Sequence, residues 1–439
     1  MSWKKVDYIR NLAGYERLLK VVAPNALHNS GHIFDPPKCH PGTRVAVIRT
    51  ILDWTDGRNE ATREKGITWL SGAAGAGKSA IGRSVCEHCA EKGTLLASFF
   101  FGSGDPSRNH PGSLVATIAY QICSISPAVR DVVSAFIDHD PLIFNRSLRT
   151  QFSSLVVEPL SAIYANEPQK LPRLIVIDGL DECLDRAGQR DILESLLYMV
   201  NTSHIAIRIL VCSRPESQIT SSFDAVRMTP VVFKVYLDDE YSPDEDIELY
   251  LHDRFAEIRQ SHRLRSLIPA SWPKQEEIHQ IVYKSSGQFI FAATVVRYVE
   301  SDRHRPHQRL EAVLGIRPPF KDLPFAELDA LYTHIIMMTG EPTIAIDILV
   351  FPPTYGSFMP ISDIEVILAL EAGDAQVVLT DLAAIAKVGP TSCGHDGITM
   401  LHKSFEDFLF NPDRSKSLYR NQIESRARHI IRIIELFSG

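Results

Sequence analysis

The stretch Gly72-Ala73-Ala74-Gly75-Ala76-Gly77-Lys78-Ser79 sets glycines, a lysine and a hydroxyl at the spacing G-x4-G-K-[ST]. Glycines let a backbone curl until successive N–H groups point inward at a polyphosphate, and a helix starting just beyond adds the positive end of its dipole. In that arrangement Lys78 reaches the β and γ phosphates and Ser79 offers its hydroxyl to Mg²⁺. One hundred residues after Lys78, the run Leu174-Ile175-Val176-Ile177-Asp178-Gly179-Leu180-Asp181-Glu182 ends an apolar stretch in carboxylates. A buried strand of this kind delivers Asp178 to the carboxyl edge of a sheet, where it joins Ser79 in the Mg²⁺ shell. Asp181 and Glu182, one turn further on, are placed either to orient and deprotonate a water or to stand as solvated loop acids. Ser213-Arg214-Pro215 closes another apolar run, so Arg214 is either a γ-phosphate contact at a strand tip or a surface arginine.

These residues need a scaffold that ends several strands at one edge. Short apolar runs at 67–70, 95–101, 174–177, 207–212 and 231–237 predict five strands, and helix-length segments such as 116–125, 152–163 and 191–200 lie between them. The fold class is α/β: a P-loop NTPase parallel sheet flanked by helices, followed by a helical domain and a winged-helix domain. Residues 1–65 form a leader ending in one amphipathic helix, with Val45, Val47, Ile48, Ile51 and Leu52 at helical spacing. The nucleotide-binding domain spans 66–238 and the helical domain 239–340, opening on a helix with Asp244, Glu245 and Asp246 in its first turn. In 341–412, helices at 361–370 and 376–386 precede extended stretches around Lys387 and at 398–402, the pattern of a winged helix. Residues 413–439 begin a C-terminal helical region, with Ile423, Ala427, Ile430, Ile431 and Ile434 on one side of its helix.

Together the motifs resemble a fungal member of the NACHT class of STAND NTPases, relatives of the nucleotide-binding immune receptors. The resemblance runs from about Arg44 to Phe410. It is carried by GAAGAGKS at 72–79, LIVIDGLDEC at 174–183, ILVCSRPE at 209–216, SSGQFIFAATVVRYV at 285–299, PFAELDALY at 324–332 and LHKSFEDFLF at 401–410. It implies an ATP/ADP switch with slow hydrolysis, acting in intracellular signalling or non-self recognition, with protein partners and nucleotide-dependent self-association. It further implies phosphate and Mg²⁺ contacts at Lys78 and Ser79, a Walker B carboxylate at Asp178, hydrolytic acids at Asp181 and Glu182, a sensor arginine at Arg214, and His402 as a winged-helix ligand of the ADP β-phosphate. Read from pattern alone, His402 is instead a half-buried histidine capping the helix that follows. Gly287 is followed by Gln288-Phe289-Ile290 where related receptors carry Gly-Leu-Pro-Leu, so the resemblance assigns no adenine contact there. No WD40, ankyrin or tetratricopeptide repeat and no effector domain is recognisable.

Composition narrows the classes further. The 439 residues are 45% apolar, enough for buried cores, and 46 basic against 53 acidic residues leave a net charge of −7. No global positive field gathers nucleic acid or anionic lipid. Residues 341–439 hold thirteen acidic and eight basic residues, which argues against a winged-helix nucleic-acid regulator. Six of the eight cluster at 414–432, on a solvated helix face or at the start of a solenoid. Seven cysteines without a regular framework suit a reducing, cytoplasmic setting, and neither a signal peptide nor a span of about 20 apolar residues is present. Cys86-Glu87-His88-Cys89 lacks a partner pair for a metal and reads as buried thiols, and Cys39-His40 lacks such a pair as well. A turnover kinase or motor ATPase is the rival enzyme class, and no clear acceptor site or arginine finger supports it.

Overall fold

The structure, a computed structural model, describes residues 13–30, 38–73, 75–102, 105–164, 172–202, 206–237, 241, 243–285, 287–300, 305–314, 329, 332–333, 336–337, 339–355, 359–382, 385–390, 395–400, 405 and 408–438. They divide into two compact units. One gathers the described residues of Met1–Cys39, Val45–Ser71 and Lys78–Tyr236, and the other those of His40–Arg44, Gly72–Gly77 and Leu237–Gly439. Sequence boundaries place the whole of 66–238 together, whereas the loop Gly72–Gly77 groups with the second unit, as does the turn His40–Arg44.

In the first unit all five expected strands form: β1 (Ile67–Ser71), β2 (Leu95–Phe100), β3 (Leu174–Asp178), β4 (Arg208–Ser213) and β5 (Val232–Tyr236). They pair in parallel in the order β2-β3-β4-β1-β5. Every residue of β1, β3 and β4 is buried, as expected of parallel strands covered on both faces, and this is why they read as unbroken apolar runs. The helices Lys78–Glu91 and Leu114–Cys123 pack on the sheet, the first against β3 and β4 and the second against β2. Helix Val45–Thr55 buries Val47, Ile51 and Trp54, each such side chain stabilising by about 1.5–3 kcal/mol. Residues of the expected leader are also part of this core. Leu18, Ala23 and Ala26 are buried, and the Ala23 and His28 N–H groups donate to Thr117 Oγ1 and Ser98 Oγ at 3.0 and 3.1 Å.

The second unit holds the helices Pro243–Ser261, Gln275–Ser285, Phe289–Val299 and Pro306–Leu314, then Pro342–Leu349, Phe351–Tyr355, Ile361–Leu368 and Asp374–Asp381. The antiparallel pair β6 (Ala386–Pro390) and β7 (Asp396–Met400) follows. Most of 324–332 lies outside the described residues, although Asp329, Tyr332 and Ile336 are buried in this unit's interior. The final helix, Gln422–Ser438, buries Ser425 and His429. Its apolar side, with Ile423, Ile430, Ile431 and Ile434, is exposed. The basic cluster at 414–432 is not simply a solvated face: Arg414 is buried and grips Asp329 through Nε at 3.0 Å and Nη2 at 2.6 Å, and Arg420 Nε meets Asp347 at 2.7 Å. Among the described residues no helix is long and apolar enough to cross a membrane.

Candidate functional site

Because all five strands run the same way, their carboxyl ends share one edge. Register places Ser71 of β1 opposite Ser213 of β4, Cys212 of β4 opposite Asp178 of β3, and Asp178 opposite Phe100 of β2. The ends of β4 and β2 therefore flank the position where Asp178 emerges, with the end of β1 beyond β4. Gly179 follows in the left-handed region, φ 69°, a conformation that costs most other residues about 1–2 kcal/mol. This turn starts the short 3-10 helix Leu180–Glu182, and the Gly179 N–H donates to the Cys212 carbonyl at 3.0 Å.

The turn carries Asp181 back to the tip of β4, where Oδ1 accepts the Arg214 backbone N–H at 3.0 Å and Oδ2 meets Arg214 Nε at 3.1 Å. Both oxygens of Asp181 are thus engaged by Arg214. The Ser79 hydroxyl hydrogen-bonds Asp178. Burial pushes the Asp178 carboxyl up to about 7, Glu182 and Asp181 add to the rise, and the Ser79 hydroxyl and Lys78 charge oppose it. The Lys78 ammonium is held below its ordinary value by burial, with Arg214 acting in the same sense and Asp181 and Asp178 against it. Lys78, Ser79, Asp178, Asp181 and Arg214 are brought together, and Glu182 is half-buried beside them. Asp178 Oδ1 is buried and has no hydrogen-bond partner among the described residues. With the Ser79 hydroxyl it makes a pair of hard oxygen donors of the kind Mg²⁺ takes, so these residues fit that ion.

The loop itself belongs to the second unit. Gly75 has φ 76°, and a Cβ there would stand 2.3 Å from Ile290 Cγ2, so no side chain fits without a shift. Its carbonyl accepts the Ile290 N–H at 3.3 Å. The segment after Gly287, to which sequence assigned no ligand role, therefore lies on the loop backbone. Arg44, buried, donates from Nη2 to the Ala76 carbonyl at 3.1 Å. Sequence reasoning passed over Arg44 and Asp246, because one stood between a turn and an amphipathic helix and the other in an ordinary acidic first turn. The only cue was the turn pair Pro41-Gly42 just before Arg44. Ala74 and His402 lie outside the described residues. Cys86 and Cys89 are both buried, as expected, and burial pushes the Cys86 thiol well up.

Residues 48–214 match the family described as Nephrocystin 3, N-terminal. Among curated proteins nothing matches the chain. Among solved structures the chain is similar to the Walker-type ATPase PABY2304 of Pyrococcus abyssi, with 14% identity over 84% of this chain and 97% of that one and a TM-score of 0.51. It is also similar to AMPPCP-bound DnaA from Aquifex aeolicus, at 12% identity over 82% of this chain and 91% of that one, TM-score 0.35. For the Aeropyrum pernix ORC2 protein in its ADPNP–ADP complexes the values are 13% identity, 90% and 97% coverage and a TM-score of 0.36. The five-stranded parallel sheet with its flanking helices is the fold of a P-loop ATPase.

Proposed function

We propose that the chain is an ATP/ADP-binding switch of the STAND class and NACHT kind, in which slow ATP hydrolysis restores the resting state. It acts in intracellular signalling or non-self recognition, through protein partners and nucleotide-dependent self-association. The observation that carries the nucleotide reading is Asp178, buried at the strand edge with Oδ1 unpartnered among the described residues and Ser79 bonded to the carboxylate, in a chain whose loop reads GAAGAGKS. Lys78 neutralises the β and γ phosphates, and Ser79 and Asp178 hold Mg²⁺, which screens phosphate charge when bound. Glu182 orients the attacking water, while Asp181 holds Arg214 in place. The pairing of Arg214 with both oxygens of Asp181 favours a switch over a fast enzyme, since neither group is disengaged for turnover. In this reading the segments 239–340 and 341–412 are the helical and winged-helix domains, and His402 is the contact from the latter to ADP.

The test compares wild type with Lys78→Ala. A ligand at a hundred times its Kd stabilises the native state by about 2.7 kcal/mol, so Mg-ATP raises the wild-type melting temperature and leaves Lys78→Ala nearly unmoved. Equal shifts in both proteins would remove the phosphate site from this loop. Sustained turnover above about one per second in the isolated protein would replace the switch by a kinase or motor.

A further inference from the structure

Arg44 is one of three non-glycine residues with positive φ among those described, at 56°. A left-handed arginine is strained by roughly 1–2 kcal/mol and persists only where its surroundings over-determine it. The partners described next belong to the second unit. The Arg44 N–H donates to Asp246 Oδ2 at 2.9 Å, in the first turn of helix Pro243–Ser261. Its Cζ stands 4.8 Å from the centroid of the Phe289 ring. Just before it, Thr43 Oγ1 donates to the His40 carbonyl at 2.7 Å, and His40 Nε2 pairs with Asp253 Oδ2 at 2.8 Å. The turn His40–Arg44 is therefore pinned along one helix, and the guanidinium is delivered to a fixed place.

That place is the Ala76 carbonyl, 3.1 Å from Nη2. A trans peptide is planar, with its C=O and N–H pointing in opposite directions. Holding the Ala76 carbonyl therefore also aims the N–H of Gly77, the residue with φ 94° that immediately precedes helix Lys78–Glu91. One peptide earlier, the Ile290 N–H holds the Gly75 carbonyl in the same manner, and the Ala76 N–H is taken up inside the loop by the Ala73 carbonyl at 3.3 Å. Two carbonyls of the loop are thus held from outside it, one by a charged fork and the one before it by a helix-end amide.

We propose that Arg44 is a positioning residue for polyphosphate, which by gripping the Ala76 carbonyl holds the Gly77 N–H aimed at the bound phosphate. This rests on the reading of Gly72–Ser79 as the phosphate site. Preset donors do not have to be reoriented when an anion binds, so loss of the grip weakens binding rather than abolishing it. A charge-assisted hydrogen bond of this kind corresponds to about a tenfold change in affinity.

The probes are a fluorescent ADP and inorganic pyrophosphate as its competitor, applied to the full chain. In Arg44→Gln, whose shorter neutral side chain does not reach Ala76, both affinities should fall together by about tenfold, with the ligand-free melting midpoint close to that of wild type. Should Arg44→Gln not fold, Arg44→Lys keeps a cation near Phe289 on an unforked stem, and it should lose at least roughly threefold for pyrophosphate. Unchanged pyrophosphate affinity in either folded variant overturns the proposal. So does a loss confined to ADP, which would place Arg44 at the nucleoside. A wild type that binds neither probe, Lys78→Ala behaving identically, removes the phosphate-site reading itself and this inference with it.

Discussion

Asp181 and Arg214 illustrate how one contact changes the meaning of two residues. Each had an ordinary alternative in sequence, a solvated acid and a surface arginine, and the structure pairs them through a backbone N–H and Nε at 3.0 and 3.1 Å. If they act as a unit, Asp181→Ala, Arg214→Ala and the double variant should slow single-turnover ATP hydrolysis non-additively, with a coupling of about 0.5–3 kcal/mol. Purely additive effects would show that the pair has no shared role. Gly75 bears a steric constraint of the same local kind. Gly75→Ala incurs both the cost of φ 76° and the collision with Ile290. Its melting temperature and ADP affinity should drop, and Ile290→Ala in the same chain should restore only the part due to collision. Full restoration would mean that the left-handed backbone costs nothing.

At the level of elements, helix Gln422–Ser438 docks through a titratable ring. The His429 imidazole stacks on Phe351 with centroids 4.2 Å apart, and Nδ1 lies 3.2 Å from the Tyr355 hydroxyl. Burial lowers its pKa, the Arg428 charge acts in the same direction, and Asp347 opposes them. The sign follows from proton uptake: below the ordinary value of 6.5 the unfolded chain takes up a proton that the folded ring refuses. The stabilisation is therefore complete above pH 6.5 and is lost as pH falls from there through the lower folded value. Melting temperature measured over this range should fall more steeply in wild type than in His429→Phe, and parallel curves would clear His429 of the effect. Sequence showed this helix and its apolar side correctly, but not which side is buried. Ser425 and His429 pack inward while Ile430 and Ile434 face out, an outcome decided by the Phe351–Tyr355 surface against which the helix lies.

For the whole molecule, the charge balance makes its own prediction. With a net charge of −7, and Arg414 and Arg420 engaged by Asp329 and Asp347, the chain has no global positive field to gather a phosphate backbone. Binding to duplex DNA should be negligible near physiological salt, and a mobility shift that weakens steeply with added salt would reveal a local basic patch. What sequence alone determined is local or periodic: the phosphate loop, the carboxylates closing an apolar run, and five strands whose bounds fall within about a residue or two of those expected. Those strands are legible because burial on both faces demands unbroken apolar runs, and the loop because its chemistry sits in eight consecutive residues. Tertiary structure alone decided the strand order, the pairing of Asp181 with Arg214, the burial of Arg414 against Asp329, and the grip of Arg44 on Ala76. The last three join residues 32 to 85 positions apart, Arg44 also meets Asp246 202 positions away, and the charged groups involved are of types common on surfaces. Their roles come from which charge the folded chain places beside them, and no periodicity in the sequence encodes that.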